Sequence, residues 1–244
     1  MTPPPLAIED LTVAYDREPA VHHLSGTFAP GSLTAIVGPN GAGKSSLLKA
    51  LVGLLPASQG RVTRPARRDA VAYLPQQVEI DRTFPITVAD TVALGLWRET
   101  GAFGRVGASG RARVAAALDG VGLAGHAGQP IGALSAGQFQ RALFARLLLQ
   151  DAPVILLDEP FAAIDEATTR DLLALLRRWH DEGRTVVAVL HELEQVRAVF
   201  PETLLLAREP VAWGPTAAVL TEPLLQRARR LAGGWGEGGA ERLG

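Results

Sequence analysis

Cysteine is absent from the 244 residues. That excludes a disulfide framework, a thiolate zinc site, an iron–sulfur cluster and a cysteine nucleophile, and it fits a reducing compartment. Long hydrophobic runs are lacking too. Hydrophobic residues make up 47% and the mean hydropathy is +0.14, yet no window reaches the roughly 18 uninterrupted apolar residues that a membrane span needs. The run over 142–149 is cut by Arg146, and Val154–Leu157 stops at Asp158. The opening MTPPPLAIED has no basic segment followed by an apolar stretch, so a signal peptide is not expected there. Neither sign of charge is in excess: 24 Lys and Arg face 25 Asp and Glu, for a net −1. A nucleic-acid partner is therefore not expected, because coating a phosphate backbone needs a basic surplus. Lysine itself is scarce: Lys44 and Lys49 stand alone among arginines. An oily chain without a span must bury apolar surface in a large core or against a partner, and a chain of this length needs no covalent staples to do so.

Short β-like runs recur at Leu6–Val13, Leu33–Val37, Val71–Leu74, Val154–Leu157, Val186–Leu190 and Thr203–Leu206. Several are continuously apolar, as strands buried on both faces of a parallel sheet are. Helix-like segments alternate with them at 43–54, 87–97, 109–120, 135–150, 166–182, 192–199 and 216–230, so the fold class is α/β. Gly183 stands where the helix over 166–182 should stop. Between Leu74 and Val154 no strand is expected, and about 86–150 reads as a helical insertion containing a flexible loop, Gly101–Gly110. One domain over 1–232 and a flexible Gly-rich tail over 233–244 complete the expected layout.

Gly38-Pro39-Asn40-Gly41-Ala42-Gly43-Lys44-Ser45 matches G-x-x-x-x-G-K-[ST] between an apolar strand and a helix, the context of a phosphate-binding P-loop. Glycines let backbone N–H groups approach phosphate oxygens, and the helix N-terminus adds positive potential. Lys44 brings a mobile charge to the β/γ phosphates and Ser45 a Mg²⁺ ligand. Val154–Leu157 then ends in Asp158, a Walker B arrangement that helps hold Mg²⁺, with Glu159 next in line to polarise water. His22, His23, His126 and His180 match no metal-ligand spacing and read as surface or packing residues.

Leu134-Ser135-Ala136-Gly137-Gln138 opens an apolar helix shortly before Asp158. In this order it closely resembles the signature of ATP-binding cassette (ABC) ATPases. Tyr15, Gln76, Asp165 and His191 fall where that family has its adenine-stacking aromatic, Q-loop, D-loop and switch histidine, so the resemblance covers roughly 6–222. Two positions depart from the usual pattern, Ala136 in the signature and Ala162 in the D-loop. The resemblance implies a RecA-like P-loop core with a mostly parallel sheet, an N-terminal antiparallel β subdomain and the helical insertion. It implies a head-to-tail homodimer with ATP at the interface. Tyr15, Gly38 through Lys44, Ser45 and Ser46 of one chain would contact the nucleotide, with Ser135, Ala136, Gly137, Gln138 and Asp165 completing the site. Glu159, His191 and Gln76 would serve catalysis, and Ser45, Gln76 and Asp158 would hold Mg²⁺.

The single set of motifs and the short insertion favour a transporter ATPase, docked on integral membrane permease subunits, over soluble ABC proteins of DNA repair or ribosomes. The stretch Phe84-Pro85-Ile86-Thr87-Val88 is similar to that of ATPases serving zinc and manganese importers. This implies a peripheral subunit on the cytoplasmic face of the bacterial plasma membrane, working with an extracytoplasmic solute-binding protein. Importers of haem or iron–siderophore, and exporters, stay open as alternatives. Phe84, Ile86 and Trp97 are candidates for lining the docking groove or for the core of the insertion.

Overall fold

The computed structural model describes residues 5–15, 18–65, 70–76, 84–101, 104–162 and 164–234. Along the chain come β1 (Leu6–Tyr15), β2 (Glu18–Phe28), β3 (Leu33–Val37), α1 (Lys44–Val52), β4 (Gln59–Thr63) and β5 (Val71–Leu74). Then follow α2 (Val88–Ala93), a 3₁₀ turn (Leu94–Leu96), α3 (Trp97–Thr100), α4 (Ala108–Asp119), α5 (Ala136–Gln150), β6 (Val154–Asp158) and α6 (Glu166–Asp181). The chain closes with β7 (Thr185–Val189), α7 (Leu193–Val199), β8 (Glu202–Ala207), β9 (Glu209–Pro215), α8 (Thr216–Val219) and α9 (Glu222–Gly234).

Every residue of β3, β6 and β7 is buried, and the reason is a sheet covered on both faces. The main sheet has the order β5-β6-β7-β3-β8-β9, parallel except for β9 at its edge. Leu33, Ala35, Ile155, Leu157, Val186 and Ala188 join a core shared with α5 and α6. The alternate residues Ile36, Val154, Leu156, Val187 and Val189 pack with α1 and the strands β1 and β2. This period-two division lets short apolar strands serve two layers at once.

The second sheet is antiparallel, in the order β2-β1-β4. It is tied to the main sheet through Trp213 on β9, whose ring lies 4.7 Å from that of Phe28. Gly26 leaves the space for this: a Cβ there would fall 2.3 Å from the Trp213 ring. Gly26→Ala is therefore expected to cost about 1–3 kcal/mol by overpacking, read as a lower urea midpoint with an unchanged m-value.

The helical insertion leaves the sheet after β5 and returns at its neighbour β6, which pairs with β5 in register Val71↔Val154. Among the described residues its only β pairing is an isolated bridge, Thr87↔Pro130. The segment 87–97 is not one helix. It breaks into α2, the 3₁₀ turn and α3, with Gly95 packed on α5, where a Cβ would lie 2.5 Å from the Arg146 carbonyl. The expected loop Gly101–Gly110 is shorter, since α4 starts at Ala108; its residues 102 and 103 lie outside the described set. Gly183 does close α6. At φ +81° it bonds to the His180 carbonyl, and Arg184 N–H bonds to the Trp179 carbonyl, the paired bonds of a Schellman motif. The segment 216–230 divides into α8 and α9, and α9 continues through Gly234, two residues into the expected tail. Residues 235–244 of that tail lie outside the described set.

Candidate nucleotide site

Four parallel strands, β5, β6, β7 and β3, present their C-terminal ends side by side, the usual place for a ligand in an open α/β sheet. The loop after β3 needs its glycines for steric reasons. At Gly43, φ is +87° and a Cβ would fall 1.9 Å from the Ala20 carbonyl oxygen. At Gly38 a Cβ would fall 1.9 Å from the Leu206 carbonyl oxygen. The backbone thus approaches two other strands with no room for a side chain. Asn40 and Gly41 are exposed at the loop tip, Ala42 is buried beneath it, and Ser46 is half-buried in α1.

Lys44 opens α1 and is only 6% exposed. Its ammonium donates to the carbonyls of Gly38 and Pro39, both at 2.9 Å. Burial draws its pKa down, opposed by the negative charges of Glu159 and Asp158. One residue on, Ser45 Oγ donates to Asp158 Oδ1 at 3.0 Å. Asp158 ends β6 and is buried, which pushes its carboxyl pKa up; the Ser45 hydrogen bond works against that rise. The Tyr73 hydroxyl reaches the other oxygen, Oδ2, at 3.5 Å. Burial, then the charge of Asp158, pushes the Tyr73 hydroxyl pKa above its ordinary value.

Glu159 follows Asp158 with φ +49°, a left-handed conformation that is strained for a side chain with a Cβ. The turn places both carboxylate oxygens against residues from other strands. Gln76 Nε2, just past β5, donates to Oε2 at 2.7 Å. His191 Nε2, just past β7, lies 2.6 Å from Oε1. The parallel register brings this about, because Asp158 pairs with Val189 and the chains then diverge into adjacent loops. Lys44, Ser45, Asp158, Glu159, Gln76 and His191 therefore form one continuous cluster. Tyr15 stands at the end of β1, 46% exposed.

The signature residues form a second cluster. Ser135 caps α5 with a reciprocal pair of bonds: its Oγ accepts from Gln138 N–H at 3.2 Å, and Gln138 Oε1 accepts from Ser135 N–H at 2.9 Å. The Gln138 amide also lies 3.0 Å from His126 Nε2. Ala136 is exposed in the first turn of α5 and is not among the positive-φ residues, so a methyl group is accommodated there. Gly137 is buried against the D-loop, where a Cβ would meet Asp165 Oδ2 at 3.2 Å and Thr168 Oγ1 at 3.3 Å. Asp165 caps α6 by accepting from Thr168 N–H and hydroxyl, each at 2.8 Å, and these bonds hold its pKa low. Ala162 is exposed. Among the described residues no hydrogen bond links the signature cluster to the P-loop cluster. Sequence reasoning passed over Tyr73 as a neighbour of Asp158, a contact that follows from the pairing of β5 with β6 and has no local signal.

A P-loop, a Walker B carboxylate, a Q-loop and a histidine on one sheet edge, beside a separate signature helix, define an ATP-binding cassette ATPase. Residues 21–162 match the family model described as ABC transporter, and the chain belongs to that family. It is similar to the manganese transport system ATP-binding protein MntB of Listeria monocytogenes, 42% identical over 228 residues, covering 91% of this chain and 95% of the relative. It is similar also to the zinc transport system ATP-binding protein TroB of Treponema pallidum, 40% identical over 226 residues, covering 91% of this chain and 85% of the relative. An ABC transporter solved in an inward-facing conformation shares the fold with a TM-score of 0.83 and 30% identity, covering 92% of this chain and 88% of that one. The chain is thus the nucleotide-binding, ATP-hydrolysing subunit of an ABC transporter, a type that dimerises and works with membrane permease subunits. Among the described residues no helix is long and apolar enough to cross a membrane.

Proposed function

We propose that this subunit powers import of a divalent metal ion such as manganese or zinc. The observation that carries the reading is the similarity, along about nine-tenths of the chain, to ATP-binding proteins of manganese and zinc transport systems. In this reading a single domain over 1–232, with its helical part at 86–150 and a tail from 233, sits on the cytoplasmic face of the bacterial plasma membrane. Permease subunits carry the ion, and an extracytoplasmic solute-binding protein delivers it. Deleting the gene should lower cell content of one of these metals and slow growth under chelation, with rescue by that metal alone. Unchanged metal content in the deletion strain overturns the reading.

For the chemistry, the P-loop from Gly38 to Ser46 cradles the phosphates and Tyr15 stacks on adenine. Lys44 exchanges its two carbonyl partners for phosphate oxygens. Ser45, Asp158 and Gln76 offer a hydroxyl, a carboxylate and an amide oxygen, the hard donors that suit Mg²⁺. An ion held by these residues would supply positive charge to offset that of the phosphates. Glu159 orients and deprotonates the attacking water, His191 hydrogen-bonds the γ-phosphate, and Gln76 links the site to the helical insertion. Ser135, Ala136, Gly137 and Gln138 of a second copy close the site from across a head-to-tail dimer, with Asp165 beside them. Catalysis in such a site is mostly positioning and electrostatics.

Docking falls to the exposed apolar residues of the insertion. Phe84 is 61% exposed and Trp97 53%, whereas Ile86 packs against the core and belongs to it. Residues 77–83, just before Phe84, lie outside the described set. Phe84→Ala is expected to weaken the permease contact by about 1–2 kcal/mol, seen as several-fold lower metal uptake with basal ATPase retained. Unchanged uptake removes Phe84 from the docking surface.

A further inference from the structure

His126 ends a second 3₁₀ turn of the helical insertion (Ala124–His126) and is half-buried. The segment after it is fastened to α2: Ala89 N–H donates to the Ala127 carbonyl and Val88 N–H to the Gln129 carbonyl, each at 2.9 Å. The ring therefore has a base outside the signature helix. From that base its Nε2 reaches the Gln138 side-chain nitrogen at 3.0 Å. Nδ1 is buried and has no partner among the described residues.

The partners decide which way these groups face. Ser135 N–H can only donate, so the Gln138 atom that meets it at 2.9 Å is the amide oxygen. The amide NH₂ is then the group facing His126, and it donates. Nε2 must accept, which assigns the ring proton to Nδ1. That proton sits on a buried nitrogen with no acceptor, a destabilising arrangement that an apolar ring of similar size would avoid. The imidazole is thus a poor space-filler and a well-placed acceptor. We propose that His126 is a positioning residue for ATP hydrolysis: through Nε2 it orients the Gln138 amide, which holds the N-terminus of α5 in the shape that completes the nucleotide site of a second copy. Without an acceptor at 126 the Gln138 amide is free to turn. Ser135 N–H then loses its partner at the helix end where phosphate is to be met. The inference rests on the reading that Ser135 to Gln138 of one copy close the site of another.

The test uses the full-length subunit. His126→Phe keeps a ring and removes the acceptor. It should lower kcat about tenfold, or 1.4 kcal/mol in barrier, while the melting temperature holds or rises because the buried Nδ1 is gone. His126→Gln should keep most of the activity, since its amide oxygen reaches about as far as Nε2 and can accept. A loss of stability that tracks the loss of activity, or a His126→Gln subunit as slow as His126→Phe, overturns the inference, as does unchanged hydrolysis in His126→Phe. Should His126→Phe fail to fold, His126→Leu replaces it. The wild-type ring is checked by nitrogen NMR of isotope-labelled histidine, with the His126 signal identified by its absence in His126→Gln. The proton is expected on Nδ1; a proton on Nε2 overturns the inference. Mixing separates the two levels. Lys44→Ala mixed with His126→Phe should hydrolyse ATP faster than either alone, as Lys44→Ala should with Ser135→Arg. If only the Ser135→Arg mixture recovers, the shared site stands and the role of His126 falls; if neither recovers, both fall.

Discussion

Glu159→Gln is expected to slow steady-state ATP hydrolysis about a hundredfold or more, the range for loss of a general base, equivalent to roughly 2.7 kcal/mol in barrier. The substitution is nearly isosteric, so the left-handed turn at φ +49° is no more strained than before. The side-chain oxygen can still accept from Gln76, now 2.7 Å from the carboxylate. What is lost is the negative charge facing His191 and the capacity to take a proton from water. ATP binding rests on the P-loop, where Lys44 is held by the Gly38 and Pro39 carbonyls, and should persist. With ATP bound and not consumed, the subunit should accumulate as a dimer, visible as a doubling of mass by light scattering. Hydrolysis near the wild-type rate removes Glu159 from the role assigned to it. A variant that stays monomeric with saturating ATP counts against nucleotide-driven dimerisation.

The core of the fold and the elements that carry most of the candidate site residues were legible because their causes are local. Strands β3, β6 and β7 are apolar at every position because both faces are covered, and that pattern survives in the sequence. The P-loop is legible because Gly38 and Gly43 approach other backbone too closely for any Cβ. Strands β2, β4 and β9 were not foreseen, and each hides its signal differently. β2 carries polar His22 and His23 and a kink at His23, φ +49°. β4 is short and largely exposed. β9 contains two prolines, tolerable only because it lies at the edge of the main sheet. Contacts set by sheet register were equally hidden. Nothing near Tyr73 in the chain announces Asp158, and nothing near Arg146 announces Gly95; both pairs meet only once β5 lies beside β6 and the insertion has folded back on α5.

A mixture of two inactive variants should recover activity if the signature acts across the dimer. Lys44→Ala removes the phosphate-facing charge from one cluster, and Ser135→Arg blocks the other; each alone should lower hydrolysis about a hundredfold, the scale of losing a transition-state charge contact. The clusters are separately built in one chain. Ser135 is exposed and its side chain caps its own helix, at an N-terminus that favours anions, while Lys44 is buried among P-loop carbonyls. In a two-fold dimer that shares its sites, a mixed pair holds one site with both defects and one with neither. Equal mixing makes half the dimers mixed, so recovery should approach about a quarter of wild-type hydrolysis. Ser135→Arg also removes a helix cap worth about 1 kcal/mol, so a melting curve must first show that it folds. Recovered activity then rules out misfolding as the cause of either loss. If both variants fold, bind each other and still fail to recover hydrolysis, the signature does not complete the neighbouring site.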